Sequence, residues 1–185
     1  MTTVTSPNDH ATWVFIRETE SELKELTDNW TERTLYLLNR LKSEMGSRCN
    51  DLQVWYLIED TWVESEKNHL NRDLWREIFS LRKVPSHFAK TDIPPFFTLP
   101  DELVVFRGGD PSGFSWSMSN KKGRWFAERY GQNRKFWGLH IRKSDVLFYT
   151  NKREEQEVVV IPQEHHEPYE IGYSPRSHRY FPRES

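Results

Sequence analysis

The segment 155-EQEVVVIP-162 places two glutamates immediately before a run of β-branched residues. The apolar run predicts a buried strand over residues 157–161. Because strand side chains alternate between two faces, Glu155 and Glu157 are expected on the same face at the start of that strand. Two carboxylates that face one cleft repel each other, which separates their proton affinities and permits different chemical roles. The alternative is a solvated turn before a core strand, since residues 152–154 are charged as well.

A proline-rich segment at residues 84–100 divides the chain into two regions of different pattern. Its Val-Pro, Ile-Pro-Pro and Leu-Pro sequences exclude a helix and lack the alternation of a strand, which predicts a linker. Before it, apolar residues recur every three or four positions, which predicts helices over residues 23–45, as one helix or in two pieces, and over residues 52–63 and 70–81. After it, short apolar or alternating runs predict strands near residues 103–106, 114–118, 136–141, 146–149, 157–161 and 169–173. One helix is expected among these strands, beginning at Ser119 or Asn120 and ending at Gly131.

These patterns predict an α+β fold in one compact domain. The expected division is a helical region with its linker at residues 1–100, a β-rich region at 101–173 and a loose tail at 174–185. Residues 1–12 are polar and expected to be loose, and residues 13–16 are expected to form a short strand or an anchor onto the core.

Local signals predict the ends of the N-terminal helices. Thr19 is followed three residues later by Glu22, which is the spacing of a capping box at a helix start. Gly46 stands where a helix C-terminus favours a positive φ. Asn50 or Asp51 is expected to cap the second helix. The Trp and Leu stripes of these helices are interpreted as core-facing surfaces, with no chemistry assigned to them.

Composition restricts the class of protein. A chain of 185 residues with eight Trp and 29% charged residues is expected to be globular and soluble, with a sizeable core. Its formal net charge of −2 gives no global electrostatic signature for nucleic acid or an anionic membrane. The single Cys49 cannot form an internal disulfide. No apolar run reaches the roughly 18 residues of a membrane span, and no signal peptide is recognised, so a protein that acts in the cytoplasm or is delivered into a target cell is expected.

Three short motifs follow one another in the β-rich region. Arg107 ends a strand and precedes two glycines, Ser115 and Ser117 lie in a strand that leads into a helix, and the two glutamates open a late strand. Each motif has a structural alternative: a surface charge at a turn, the polar face of an edge strand, and the solvated turn described above.

In their order and secondary structure, these motifs resemble the arginine–serine–glutamate clade of ADP-ribosyltransferases, enzymes that cleave NAD at the nicotinamide glycosidic bond. The resemblance covers about residues 102–162 and is carried by 104-VVFRG-108, by 113-GFSWSMS-119 with 125-WFA-127, and by 155-EQEVV-159. Trp116 departs from the family pattern, which usually has Thr between the two serines. The resemblance implies a split, mostly antiparallel sheet, with the helical region packed on it, and NAD as a substrate.

The resemblance also implies a role for each residue. Glu157 would stabilise the positive charge that develops on the ribose and hydrogen bond to a ribose hydroxyl. Arg107 would offer a planar, charged fork to the pyrophosphate. Gly108, without a Cβ, would let its backbone approach the nicotinamide amide. Ser115 would hold NAD and Glu157 in register, and Ser117 is the second cofactor-binding hydroxyl.

Arginine on a protein is the expected acceptor. Family members that modify arginine use the first glutamate of the pair, here Glu155, to activate the guanidinium nitrogen, which is general-base help of typically 10² to 10⁴ in rate. A nucleic-acid acceptor stays open. Phe148 and Tyr149 precede the loop that often touches the acceptor in this family, and at least one is expected to pack in the sheet. Arg134 is either a phosphate contact or a solvated charge.

Two other functions stay open at this point. In the first, the same cleft hydrolyses NAD with water as the acceptor. In the second, the chain keeps the fold as a catalytically silent module that binds a protein or a nucleic acid. The sequence does not identify the target or the oligomeric state.

Other chemistries are not expected. The segment 164-EHHE-167 lacks neighbouring cysteines or a second His at helical spacing, so no metal site is expected. Neither a Gly-x-Gly-x-x-Gly sequence nor a Walker loop is present, so NAD would not bind in the Rossmann manner. The spacing of Ser117, His140 and Asp145 does not support a hydrolase triad.

Overall fold

The computed structural model describes residues 7–26, 29–83, 99–129 and 135–172. Most of the predicted linker, the expected helix end at Gly131, Arg134 and the predicted tail lie outside the described residues. The described part combines helices with antiparallel strands, which confirms the predicted α+β class.

The described residues before the linker form five α-helices. They are α1 (Pro7–Glu25), α2 (Trp30–Lys42), α3 (Glu44–Arg48), α4 (Asp51–Glu64) and α5 (Arg72–Ser80), with a 3-10 turn at Asn68–Asn71 before the last. A sixth helix, α6 (Asn120–Arg129), lies in the β-rich region. In the described ranges, no helix combines the length and the apolar character that crossing a membrane requires.

Helix α1 takes the place of the loose segment over residues 7–12 and of the short strand predicted at residues 13–16, while residues 1–6 lie outside the described residues. The strand prediction came from the apolar run at residues 13–16, but Trp13 and Val14 are exposed. The buried positions follow helical spacing instead: Thr12, Phe15, Ile16, Thr19 and Leu23. A helix buries this whole stripe, whereas a strand would bury alternate residues of a four-residue run.

The capping predictions have mixed outcomes. Thr19 is not a helix cap: it lies in the middle of α1, fully buried, and its hydroxyl donates to the carbonyl of Phe15 at 2.7 Å. Asn50 does cap α4, as predicted, because its side chain accepts from the backbone N–H of Gln53, while the Gln53 side chain accepts from the backbone N–H of Asn50. This reciprocal pair satisfies two N–H groups that have no partner within the helix.

Gly46 does not end a helix, contrary to the prediction. It lies within α3 and is buried against the end of α2, where a Cβ would overlap the carbonyls of Arg40 and Leu41. Ser43 ends α2 and begins α3, since its side chain accepts from the backbone N–H of Gly46. The glycine therefore permits two helices to meet closely rather than a positive φ.

All six predicted strands are present. They are β1 (Glu102–Gly108), β2 (Ser115–Ser117), β3 (Phe136–Arg142), β4 (Val146–Thr150), β5 (Glu157–Val160) and β6 (Tyr169–Glu170), the last shorter than predicted. They form one sheet in the order β4-β5-β2-β1-β3-β6, and each pairing is antiparallel. Strand β2 therefore lies between β1 and β5, so the three strands that carry the motifs are consecutive in the sheet, although 38 residues separate Ser117 from Glu155 along the chain.

The two faces of the sheet have different cores. Ser117 pairs with Glu157 in register, so both side chains are directed to the face on which the helical region packs. On that face, Phe114, Phe148 and Val159 join a cluster of helix residues. The opposite face has its own core, built by these buried residues: Leu99, Leu103, Val105, Trp116, Leu139, Ile141, Val146, Tyr149, Val158 and Val160. Phe148 and Tyr149 are thus both packed in the sheet.

Candidate active site

A cleft of about 600 Å³ lies between the helical region and the sheet. One wall comes from the end of α4 and the segment that leads into α5, and the other from β1, β2, β5 and α6. The cleft is lined by four predicted residues: Arg107, Ser115, Glu155 and Glu157. A smaller adjoining cavity of about 60 Å³ is lined by these four and also by Gly108 and Ser117. The structure therefore brings all six predicted site residues together.

Glu157 is held in a fixed position by partners on both sides. It begins β5 and is only 2% exposed. The indole Nε1–H of Trp62 donates to its Oε1 at 3.0 Å, and Arg153 donates to its Oε2 at 3.1 Å. Charged acceptors form the stronger hydrogen bonds, so both contacts favour a single orientation of the carboxylate. The predicted role of Ser115 in holding NAD and Glu157 in register stays a prediction, since the contacts described here come from Trp62 and Arg153.

Strand alternation does not explain why Glu155 lines the cleft. It precedes β5, and its neighbours Glu154 and Gln156 have φ angles of 56° and 47°, in the left-handed region that non-glycine residues rarely adopt. The loop is held in this shape because the Ser117 hydroxyl donates to the carbonyl of Glu155 at 2.6 Å and the Gln156 N–H donates to Asn151 Oδ1 at 3.1 Å. Both glutamates face the cleft, as expected, but Glu155 lies before the strand, so these φ angles and not strand alternation place its side chain.

The electrostatic environment separates Glu155 from an ordinary surface carboxyl. Burial raises the pKa of Glu155, and the nearby charge of Glu157 raises it further, against the opposing influence of Arg153. A carboxylate with a raised pKa is a stronger base, which suits a group that must accept a proton near neutral pH.

The two hydroxyls of the Ser-x-Ser motif have different positions at the cleft. Ser115 lines the cleft, while Ser117 holds the loop that carries Glu155 and also accepts from the backbone N–H of Ser119 at 3.0 Å. Trp116, between them, is directed to the opposite core, where it is 1% exposed and its Nε1–H donates to the carbonyl of Gly113 at 2.9 Å. Trp116 therefore fills the core behind the site and is not among the residues that line the larger cleft.

Arg107 is already engaged with the backbone of its own loop. Its Nε donates to the carbonyl of Asp110 at 2.6 Å, and one Nη donates to the carbonyl of Ser115. Burial lowers the pKa of Arg107 to about 10, opposed by the charge of Asp110, so the guanidinium remains protonated at neutral pH. Two of the five guanidinium N–H donors are used in these contacts, which leaves others for an anionic ligand.

Gly108 has a structural reason to be glycine. A Cβ at this position would overlap the backbone of Phe126 and Ala127 in α6. Its missing side chain therefore permits the close packing of α6 on β1, in addition to forming part of the smaller cavity.

The helical wall contains site residues that the sequence did not reveal. Trp62 of α4 binds Glu157, and Arg72, the first residue of α5, forms an ion pair with Asp110 and a hydrogen bond with the Ser112 hydroxyl. Hydrogen bonds from the Ser112 backbone, then from Arg72, lower the pKa of Asp110 to about 2. These contacts fasten β5 and the loop after β1 to the helical region. In the sequence Trp62 belongs to an apolar stripe, and nothing in the stripe distinguishes it from a core residue.

Cationic side chains predominate in the cleft. Five residues contribute positive charge, namely Lys67, Arg72, Arg107, Arg129 and Arg153, against three carboxylates, namely Glu66, Glu155 and Glu157. This balance favours an anionic ligand such as a pyrophosphate, in a cleft whose volume is within the roughly 300–1,000 Å³ of small-molecule sites.

One cluster outside the cleft has the composition of a metal site. Ligand atoms of Asp145, His165 and His166 lie within 4.8 Å of one another. However, His166 Nδ1 accepts from the backbone N–H of Gln163 at 3.1 Å, so a neutral ring carries its proton on Nε2, where it can donate to Asp145 at 3.3 Å. A ring in this state has no lone pair for a metal at Nε2. The donor set therefore fits a structural hydrogen bond.

Comparisons of the chain with protein-family models, with curated proteins and with solved structures give no match. What the cleft does is therefore inferred from the residues that line it.

Proposed function

We propose that the protein is a mono-ADP-ribosyltransferase, which cleaves NAD at the bond between nicotinamide and ribose and transfers ADP-ribose to an arginine of a protein. The observation that carries the proposal is that Arg107, Ser115, Glu155 and Glu157 line one cleft, although they come from three strands and a loop. The strand order, with β5, β2 and β1 adjacent, and the helical region on the face that carries Glu157 are compatible with a sheet core of the ADP-ribosyltransferase type.

In the proposed reaction, Glu157 is the residue that opposes the developing charge. Breaking the nicotinamide bond leaves positive charge on the ribose, and a carboxylate that is already oriented stabilises that charge without reorganisation. Trp62 and Arg153 supply the orientation, since they hold the two oxygens of Glu157 separately.

Arg107 and its neighbours would bind the phosphates of NAD. The guanidinium is fixed by two backbone carbonyls, so its remaining donors are directed without loss of side-chain freedom on binding. Arg72 and Arg129 line the same cleft and add to the attraction for the pyrophosphate. Ser115 contributes a hydroxyl on the sheet side.

Glu155 would act as the general base for the acceptor. Its carboxylate lies beside that of Glu157 at the cleft, and its raised pKa favours proton uptake from a guanidinium nitrogen that approaches the ribose. Transfer and NAD hydrolysis would thus share Glu157 and differ in their need for Glu155.

The experiment is incubation of the wild-type chain with labelled NAD, a cell lysate and agmatine, a small guanidine acceptor. Nicotinamide release and label on acceptors are both measured. We expect Glu157→Gln to abolish turnover while NAD still binds in calorimetry. Glu154→Gln is the matched control, since this neighbouring carboxylate lines a separate outer cleft, and it is expected to retain turnover.

The outcomes separate the three functions. Label on agmatine or a protein, lost in Glu157→Gln, supports the transferase. Nicotinamide release without label on any acceptor would instead identify a hydrolase. NAD binding or folding without any nicotinamide release would leave a silent binding module and refute the proposed reaction.

A further inference from the structure

Arg153 occupies an unusual position between the two site glutamates. A single Nη of its guanidinium lies 3.2 Å from Glu155 Oε2 and 3.1 Å from Glu157 Oε2. The side chain is 36% exposed, so it reaches into the cleft from the solvent side, whereas that of Glu157 is 3% exposed. Arg153 lies on the same loop as Glu155, four residues before Glu157.

This arrangement reproduces what an arginine acceptor needs. The acceptor nitrogen must contact the base that takes its proton and must also lie next to the carboxylate that faces the ribose. One nitrogen of Arg153 meets both conditions. Arg129 also lines the cleft, but its guanidinium lies over the ring of Trp125, 4.9 Å from the centroid.

On the basis of the proposed function, we propose that Arg153 is itself a modification site: the enzyme transfers ADP-ribose from NAD to the guanidinium of its own Arg153. The same geometry assigns the acceptor class, because the two carboxylates already accommodate a guanidinium between them. Planar guanidinium groups match carboxylate geometry better than an ammonium does, so lysine is a poorer acceptor at this position.

The step balances without any further reactant. The bond between the nicotinamide nitrogen and ribose C1′ breaks, and its electron pair leaves with nicotinamide. The Arg153 nitrogen loses a proton to Glu155 and forms the new bond to C1′. The products are free nicotinamide, Arg153 bearing ADP-ribose, and a proton that Glu155 releases to solvent.

A simpler account would treat Arg153 only as a counter-charge that neutralises two close carboxylates. That account predicts no covalent change in the presence of NAD. Reaction within one molecule predicts a rate per molecule that is independent of protein concentration, because acceptor and base belong to the same loop.

The test uses the full chain with NAD and no added acceptor, followed by intact mass measurement and fragment mapping of the modified residue. We expect one ADP-ribose on Arg153 in the wild type, at a rate unchanged over a tenfold range of protein concentration. In Arg153→Lys the label should fall to the level of Glu157→Gln. Arg124→Lys, whose guanidinium stacks on Phe136 outside the cleft, should keep the label on Arg153.

Transfer to agmatine is measured in parallel, so that failure of the self-modification can be distinguished from failure of the proposed function. Labelled agmatine with an unmodified Arg153, or label on Arg129 in its place, would overturn the self-modification and leave the transferase intact. Label on Arg153 of a Glu157→Gln chain mixed with wild type would overturn the intramolecular route. Absence of both labels and of nicotinamide release would refute the proposed function and this inference together.

Discussion

Replacing Trp62 by Phe should remove one support of Glu157 while keeping an aromatic ring in the core. The lost contact is the 3.0 Å bond from the indole Nε1–H to Glu157 Oε1, between residues that are each 2% exposed. Hydrogen bonds to charged groups contribute about 1.5–3 kcal/mol. If that contribution holds the carboxylate in the orientation used in the transition state, kcat should fall about 10- to 150-fold, at about 1.4 kcal/mol per factor of ten.

Trp75→Phe provides the matched control. Trp75 packs against Trp62 with ring centroids 4.9 Å apart and is equally buried, but its Nε1 has no hydrogen-bond partner in the described part of the chain. Both variants shorten a buried indole to a phenyl ring, so both should lose a similar amount of packing free energy. Only Trp62→Phe removes a donor from Glu157.

The assay is steady-state nicotinamide release, with NAD affinity measured separately by calorimetry and folding checked by urea unfolding. We expect Trp62→Phe to lower kcat with little change in the NAD dissociation constant, and Trp75→Phe to change kcat by less than about threefold. Equal losses of kcat in the two variants would mean that the aromatic cluster, and not the hydrogen bond, supports the site, and the reasoning would be refuted.

Three further predictions concern residues in and around the cleft. Burial raises the pKa of Glu155, which must be unprotonated to act as a base, so transfer to agmatine should decline on the acid side at a higher pH than an ordinary carboxyl would give. Glu155→Gln should remove transfer but spare part of the hydrolysis. Both products are measured across the pH range, and transfer that persists in Glu155→Gln would contradict the role of Glu155 as the base. The depressed pKa of Asp110 adds stability that is present above about pH 3.8 and is lost as the pH falls through about 2. The free energy of unfolding in urea should therefore lose this acid-dependent part in Asp110→Asn. Identical dependence of that free energy on pH in the wild type and in Asp110→Asn would contradict the prediction. Gly108→Ala should lower the free energy of unfolding by about 1–3 kcal/mol through overlap with Ala127, and unchanged urea stability would show that α6 can move away.

The strand elements were predictable because their signals are local. The apolar runs and their flanking turns gave all six strands, and the motif order placed Arg107, Ser115 and Glu157 on three of them. The position of Glu155 was not predictable in the same way. Alternation along a strand was the simplest rule for Glu-x-Glu, whereas the structure uses positive φ angles at Glu154 and Gln156, residues whose types give no signal for that conformation.

The residues that α4 and α5 contribute to the site could not be predicted from the sequence, because their contacts are with residues distant in sequence. Trp62 and Glu157 are 95 residues apart. Trp55, Trp62 and Trp75 are all core residues by periodicity and burial, but their indole N–H groups have different partners. That of Trp55 donates to the backbone carbonyl of Lys83 and that of Trp62 donates to Glu157, whereas that of Trp75 has no partner among the described residues. Only the packing of α4 on the sheet decides which indole reaches Glu157.

The division of the sequence at its proline-rich segment therefore does not coincide with a division of function. Polar contacts among the described residues join the helical region to the parts of the sheet region that carry the motifs: Trp62 to Glu157, Arg72 to Asp110 and Ser112, and Lys152 to Asp60 at 3.2 Å. The first orients a carboxylate, the second fixes the loop that Arg107 also binds, and the third holds the turn that carries Arg153. Since these contacts hold β5, the loop after β1 and the turn before β5 to the helices, the geometry of the cleft requires both regions.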